Sequence, residues 1–410
     1  MMTTTRPAVI VGGNRIPFAR SGGPYAEASN QDMLTAAIDG LAARFSLAGE
    51  RLDEVAAGSV LQHARDFNFA RECVLGSALS SETPAYDVRQ ACDTSLEATA
   101  LIANKIALGQ IESGLAGGAD TTSDAPLGVN DDLRRVLMRA REEKSVLGRV
   151  RRLARVRPRH IVPDIPRNAE PRTGLSMGEH AAITAERYGI GREEQDELAA
   201  ASHQKTAAAY DRGFFDDLVT PYLGLQRDQN LRPDSSVEKL AKLEPVFGDT
   251  MTAGNSTPLS DGAAAVLLAS EAWAEEHGLP ALARITDVQT GAVDYVHGDD
   301  GLLMAPVRVI PRVLERNGLS LDDIDFFEIH EAFASQVLAT LDALEGTVGA
   351  IDRAKLNVVG SSLATGHPFA ATGARIVATL AKLLAEKGSG RGLISICAAG
   401  GQGVVALLER

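Results

Sequence analysis

The chain is poor in cysteine. It has three in 410 residues, Cys73, Cys92 and Cys397, too few and too far apart for a disulfide framework or a metal knuckle. Thiols left free point to a reducing compartment, most simply the cytoplasm. Cations are in deficit: 41 Lys and Arg stand against 54 Asp and Glu, and the net charge of −13 argues against nucleic acid as the main partner. Long apolar runs are missing too. The start, Met1 to Pro7, is short and polar, and it runs into Ala8-Val9-Ile10-Val11, which reads as a first buried strand. That run is far too short for a signal peptide or a membrane span, so no targeting segment is expected.

What is present fits an α/β enzyme of two or three domains with a large core: 45% hydrophobic residues, only 4% aromatics and 39 glycines. A weak internal repeat organises it. Ala85 to Val88 reads as a strand entering Cys92, then a helix over 95–109, a short strand and Gly117-Gly118. Asn357-Val358-Val359 reads as a strand entering His367, then a helix from Thr372 to Lys387, a strand at Leu393 to Ile396, and Gly400-Gly401. The same order occurs twice. In each half a sharp turn should open a helix, where unpaired N–H groups and the dipole favour negative charge. The expectation is a Cys92 thiolate stabilised there, with a lowered pKa, and His367 at the matching place. Two pseudo-symmetric halves would bring both turns to one crevice.

Between the halves lies a segment of different composition, roughly 125–246. Its stretch from Arg134 to Arg159 holds eleven Arg or Lys and two acids, Glu142 and Glu143. Three readings are open for it: a solvated helix face, a dock for phosphates, which need cationic partners, or contact with a partner subunit or an anionic membrane. The stretch from Glu193 to Gly213 reads as an amphipathic helix. Core-like patterning returns at 262–268.

Four short segments carry chemistry: Gln90-Ala91-Cys92-Asp93-Thr94-Ser95, His330-Glu331-Ala332-Phe333-Ala334, Gly366-His367-Pro368-Phe369-Ala370-Ala371-Thr372-Gly373, and Cys397-Ala398-Ala399-Gly400-Gly401-Gln402-Gly403. Two thiols and two imidazoles suit acyl transfer through a thioester with carbanion formation. Cys92 is the candidate nucleophile. Alone it would read as a buried structural cysteine. His367 is its candidate base, in a setting that holds a ring in a tight turn. Cys397 is the candidate second acid/base, since a thiol titrating near 8.5 is close to working pH. The glycines after it suit close backbone approach. They are not a dinucleotide fingerprint, because the spacing is wrong.

Taken in order, these segments resemble the thiolase family of acyl-CoA C-acyltransferases, and the resemblance spans the whole chain, including Gly12-Gly13-Asn14-Arg15-Ile16-Pro17-Phe18. It implies a thiolase fold of α/β class: two pseudo-symmetric mixed-sheet halves, layered αβαβα, with an inserted loop domain. The halves would be 1–124 with 247–275, and 276–410, around an insertion at 125–246 that binds coenzyme A. It also implies that His367 activates Cys92 and lines an oxyanion hole. His330 stands where many members have Asn, as in the multienzyme fatty-acid-oxidising type, and would hold a water that binds the substrate thioester oxygen. Glu331 and Phe333 would brace the turn and the pocket wall. The backbone N–H groups of Cys92 and Ala399 would form a second oxyanion hole. Thr252 to Pro258 matches a loop near the pantetheine arm, with Ser256 and Thr257 as contacts and Asn255 as a brace. Ser176-Met177-Gly178 matches a helix start near the acyl pocket.

The implied reaction is cleavage of 3-oxoacyl-CoA by coenzyme A in fatty acid oxidation, with coenzyme A as substrate, no permanently bound cofactor and no metal. A homodimer or homotetramer is implied, and a hydratase/dehydrogenase partner subunit is one further implication. Asp93, Ala370 and Ala399 depart from the common pattern. Asp93 puts a carboxylate one residue from the thiol, which would oppose thiolate formation. Rival readings are an acetoacetyl-CoA-forming acetyl-CoA acetyltransferase, a decarboxylating 3-oxoacyl synthase, disfavoured by Cys397, and a non-catalytic acyl-CoA binder.

Overall fold

The computed structural model describes residues 5–410. Nine strands make the path of one large mixed sheet: β1 (Ala8–Arg15), β2 (Glu54–Gly58), β3 (Ala85–Asp87), β4 (Ser113–Asp120), β5 (Ser260–Ser270), β6 (Ala283–Ala292), β7 (Phe326–Ile329), β8 (Arg391–Ala398) and β9 (Gln402–Glu409). Among the described residues ten helices of eight residues or more surround it: α1 (Asn30–Arg44), α2 (Phe69–Gly76), α3 (Thr94–Ala107), α4 (Asp131–Glu142), α5 (Val146–Leu153), α6 (Met177–Arg187), α7 (Arg192–Asp211), α8 (Ala305–Asn317), α9 (Ala334–Glu345) and α10 (Thr372–Lys387).

The spatial order is β7-β8-β9-β6-β1-β5-β4-β2-β3. It contains the expected repeat. In the first half, β2 lies parallel to β3 and β4, and β4, β5 and β1 then follow antiparallel. In the second half, β7 lies parallel to β8, and β8, β9 and β6 follow antiparallel. The halves join edge to edge through a short antiparallel ladder, from Ala8 opposite Ile285 to Ile10 opposite Ala283.

One expected strand is missing. Asn357-Val358-Val359 forms no ladder; a single parallel bridge between Phe327 and Leu356 stands where β3 stands in the first half. The reason is local. Asn357 takes φ 43°, and its side chain replaces the ladder. The side-chain amide accepts from Ile329 N at 2.9 Å and donates to Ile329 O at 2.9 Å.

Alternation along each strand builds the layers. In β1, Ile10 joins a central core while Val9 and Val11 face an outer one that includes Met33, Leu34 and Ile38 of α1. In β9, Val404, Ala406 and Leu408 join the same central core, and Val405 and Leu407 face outward onto α8 and α9. The central core is filled by α3 and α10. The layers therefore run αβαβα, as expected.

The two central helices meet at their N-termini. A Cβ on Gly373 would lie 2.4 Å from Leu96 N, and Ala374 N donates to Ser95 Oγ at 2.8 Å. Only glycine allows that approach. It brings the turns preceding both helices together. Residues 125–246 carry α4 to α7 and add no strand to the large sheet.

Candidate active site

Cys92 sits in a short 3-10 turn, Ala91–Asp93, that leads directly into α3. Ala91 takes φ 47°. A non-glycine residue there costs on the order of 1–3 kcal/mol and persists only when its surroundings enforce it. Thr94 does so: its hydroxyl accepts from Gln90 N at 2.9 Å and donates to Ala91 O at 2.7 Å.

His367 reaches Cys92 across the central layer. Its Nε2 lies 3.1 Å from Cys92 Sγ, and its Nδ1 lies 2.6 Å from Thr372 Oγ1. The Thr372 hydroxyl donates to Pro368 O at 3.3 Å, which leaves its lone pairs to accept Nδ1–H. Nε2 is then the free acceptor for the thiol proton. Gly366, at φ 103°, turns the chain beneath the ring; a Cβ there would lie 2.5 Å from Asn230 Nδ2. Asp120, at the end of β4, accepts from Ala370 N at 2.8 Å and from Val60 N and Leu61 N, so one carboxyl ties the His367 turn to the first half.

The repeat needs one correction. The residue matching Cys92 is Ala370, each standing two residues before its central helix; His367 lies three residues earlier. That offset is what points the ring back at Cys92.

The expected thiolate also needs correction. Burial is the largest influence on Cys92 and pushes its pKa up, with Asp93 and Asp120 acting the same way; the backbone N–H groups of Ala399 and Cys92 oppose this and lose. Burial and then Arg375 pull His367 down to about 3. The resting pair is a neutral thiol donating to a neutral imidazole. Cys397, at the end of β8, is buried, and burial followed by Cys92 and Asp93 holds its thiol well above the usual range rather than near working pH. Asp93 is fully buried, neither carboxyl oxygen has a partner among the described residues, and burial followed by Glu97 raises its pKa well above a carboxylate's.

Cys92, His367, Cys397 and Ala399 line one cavity of about 80 Å³ with Met177, Thr257, Leu303, Phe333 and Phe369 among its walls. The backbone N–H groups of Ala399 and Cys92 favour the thiolate form of Cys92, and Ala399 lines the same cavity. Glu170, from the inserted segment, fixes that corner by accepting from Gly400 N at 2.7 Å and from Tyr295 Oη at 2.8 Å. His330 is buried beside His367, with ring centroids 4.2 Å apart. Its Nε2 has no hydrogen-bond partner among the described residues. Glu331 accepts from Ser202 Oγ, Asn357 Nδ2 and Leu363 N, so it braces the loop that carries His330. Phe333 meets Phe247 edge to face in the wall.

A second cavity of about 400 Å³ adjoins the first at Pro258. Its walls include Arg20, His203, Arg232, Lys239, Leu243 and Ser256. Ser256 Oγ is buried without a partner among the described residues, whereas the Thr257 hydroxyl is spent on Glu331 O and Ala332 O at 2.5 and 2.6 Å. Thr257 offers the cavity little but its methyl group. Asn255 braces this loop by donating to Asp196 Oδ1 at 2.9 Å and accepting from Thr252 N at 2.7 Å. None of the eleven cations of 134–159 lines either cavity. They lie on and beside α4 and α5, partly paired, as in Arg134–Asp131 and Arg152–Glu143.

Sequence reasoning missed Thr372, Ser362, Arg375, Glu170, Asp120 and the cationic groove. Thr372 carried a signal, since it closes the run after His367. The others come from distant segments and carried none. Among the described residues no group of three or more His, Cys, Asp or Glu could hold a metal ion, and no helix is long and apolar enough to cross a membrane.

Comparisons with known proteins agree with this geometry. Residues 8–272 match the thiolase N-terminal domain and residues 279–410 the thiolase C-terminal domain. The chain is 40% identical to a 3-ketoacyl-CoA thiolase of Yersinia pestis strain Pestoides F, over 98% of this chain and 96% of that one. It superposes on the crystal structure of human mitochondrial 3-ketoacyl-CoA thiolase with a TM-score of 0.84 and 30% identity, covering 98% of this chain and 99% of that one. It superposes on the Bacillus anthracis acetyl-CoA acetyltransferase with a TM-score of 0.83 and 30% identity, covering 99% of each. With both domains matched in order and the fold shared along its whole length, this chain belongs to the thiolase family.

Proposed function

We propose that this protein is a 3-ketoacyl-CoA thiolase that cleaves 3-oxoacyl-CoA with coenzyme A to acetyl-CoA and a shortened acyl-CoA. The observation that carries this reading is the 3.1 Å contact between Cys92 Sγ and His367 Nε2 in a cavity that also holds a second thiol, Cys397. In the first half-reaction Cys92 attacks the 3-keto carbon while its proton passes to His367. The alkoxide collapses, the bond between the second and third carbons breaks, and its electron pair goes to the acetyl-CoA enolate. Cys397 protonates that carbon. Coenzyme A then gives its thiol proton to the Cys397 thiolate and takes the acyl group from Cys92, whose sulfur recovers its proton from His367.

The neutral resting pair suits this scheme. Proton transfer accompanies attack, so no buried ion pair has to be maintained. The backbone N–H groups of Cys92 and Ala399 would receive the keto oxygen, and such donors are worth about 3 kcal/mol each in comparable sites. The 400 Å³ groove suits the coenzyme A arm. It carries the unpartnered Ser256 hydroxyl next to the reaction cavity and Arg20, Arg232 and Lys239 for phosphate charge. A human mitochondrial 3-ketoacyl-CoA thiolase of the same fold has been solved in complex with CoA. Met177, at the start of α6, would bound the acyl group.

Residues 125–246 are read as the inserted domain, with 1–124 plus 247–275 and 276–410 as the two halves. A homodimer or homotetramer, a role in fatty acid β-oxidation and a reducing, cytoplasmic setting complete the proposal; three free cysteines support the last. A hydratase/dehydrogenase subunit remains the proposed partner. Thiolysis rates across a panel of 3-oxoacyl-CoA chain lengths test the assignment. Turnover that rises beyond four carbons supports it. Turnover confined to acetoacetyl-CoA would instead identify an acetyl-CoA acetyltransferase.

A further inference from the structure

The two imidazoles of the site lie side by side, yet their neighbours are of opposite kinds. His330 Nδ1 is 2.8 Å from Ser362 Oγ. Ser362 Oγ also receives Arg375 Nη2 at 2.9 Å, and the same guanidinium nitrogen reaches Ser361 Oγ at 3.2 Å. All four residues are buried. A guanidinium can only donate, and a hydroxyl has one proton. With Arg375 on one lone pair of Ser362 and no other acceptor for the Ser362 proton among the described residues, that proton goes to His330 Nδ1. Nδ1 is therefore an acceptor.

Burial, followed by the nearby His367 and Arg375, lowers the His330 pKa well below the ordinary imidazole value, so the ring is neutral and carries one proton. Arg375, pulled down to about 10 by burial, stays charged at neutral pH and keeps donating. With Nδ1 accepting, the ring proton sits on Nε2. Nε2 is buried and has no partner among the described residues.

We infer that Arg375 and Ser362 are positioning residues that lock His330 as its Nε2–H tautomer, making it a hydrogen-bond donor toward substrate oxygen and not a base. His367 has the opposite tautomer because Thr372 accepts from its Nδ1. One ring thus donates while the other takes protons, and the division is set by what each adjoining hydroxyl is free to do. This assignment rests on the thiolase reading for the identity of the oxygen that His330 meets. The tautomer itself follows from the hydrogen bonds of the buried, neutral ring.

Side-chain nitrogen NMR of the histidine-labelled protein, with His330→Asn to assign the signals, reads the tautomer directly without any turnover. The expected pattern is a protonated Nε2 and an unprotonated, hydrogen-bonded Nδ1 for His330, mixed or reversed in Ser362→Ala and restored in Ser362→Thr. In the same variants kcat for thiolysis should fall about 10- to 100-fold in Ser362→Ala, recover in Ser362→Thr, and leave alkylation of Cys92 by iodoacetamide unchanged. A wild-type His330 with its proton on Nδ1 overturns the inference whatever the enzyme turns over. An unaltered tautomer and kcat in Ser362→Ala do so as well. If the protein proved inactive on every 3-oxoacyl-CoA but kept the Nε2–H pattern, the function would be wrong and the relay would stand.

Discussion

Ala91-Cys92-Asp93 and Phe369-Ala370-Ala371 are the same short turn, each delivering a threonine to the start of a central helix. The threonine is used differently in the two halves. Thr94 takes Gln90 N and gives to Ala91 O, so its hydroxyl is spent holding the backbone that presents Cys92. Thr372 gives to Pro368 O and takes His367 Nδ1, so its hydroxyl sets the tautomer of the base. Position two before the helix is Cys92, the proposed nucleophile, in one half and Ala370 in the other. The duplicated framework supplies two N-termini at one crevice, and substitution at a few matched places divides the work between them. Pseudo-symmetry here is a property of the backbone, and the chemistry depends on its being broken.

The largest expected effect comes from the unmatched thiol. Cys92→Ala should abolish acyl-enzyme formation and lower thiolysis by about 10⁴-fold or more, measured with acyl-CoA by single-turnover assay. Retained acylation on another residue would remove Cys92 from its role. His367→Asn should slow acylation about 10²- to 10⁴-fold while leaving the cysteine in place for alkylation. Cys397→Ala should spare acylation of Cys92 but lower cleavage and condensation over a similar range of about 10²- to 10⁴-fold; normal turnover would make Cys397 a structural residue.

Smaller effects separate the two threonines. Thr372→Val should reduce kcat about tenfold, from loss of the Nδ1 acceptor, with little change in thermal stability. Thr94→Val should act the other way round, lowering the melting temperature because it releases the strained Ala91 turn. Equal behaviour of the two variants would contradict the division drawn above. The smallest expected change is with pH. His367, held down to about 3, is already the free base throughout the neutral range. A lowered pKa keeps the neutral form present at every pH above it, so the acylation rate should show no imidazole limb between about pH 7.5 and about pH 5.5. A fall centred near the ordinary histidine value would show that the base is solvated.

Much of this was legible in the sequence, and the rest was not for identifiable reasons. The helix expected from Thr372 to Lys387 has those ends, because its start carries the Thr-Gly of the turn and its end meets Gly388. Cys92, His367 and Cys397 line one cavity, and His330 packs beside His367. The strand at 357–359 was misread because a single asparagine side chain does the hydrogen bonding of a strand, which periodicity cannot register. A lowered pKa was expected for Cys92 from its helix N-terminus and an ordinary thiol value for Cys397; the depth of burial that raises both is a tertiary property. The contiguous cations of 134–159 stood out in the sequence, yet the groove draws on Arg20, Arg232 and Lys239, which only folding brings together.

The central claim is that one half supplies the nucleophile and the other the proton chemistry. Incubation of the wild-type protein with acyl-CoA, followed by intact-mass measurement and peptide mapping, tests it most directly. The three cysteines are free and lie on separate peptides, so each can be read on its own. One acyl group on Cys92, with Cys73 and Cys397 unmodified, is the expected result. An acyl group on Cys397, or no covalent adduct in a protein that still turns over, would contradict it.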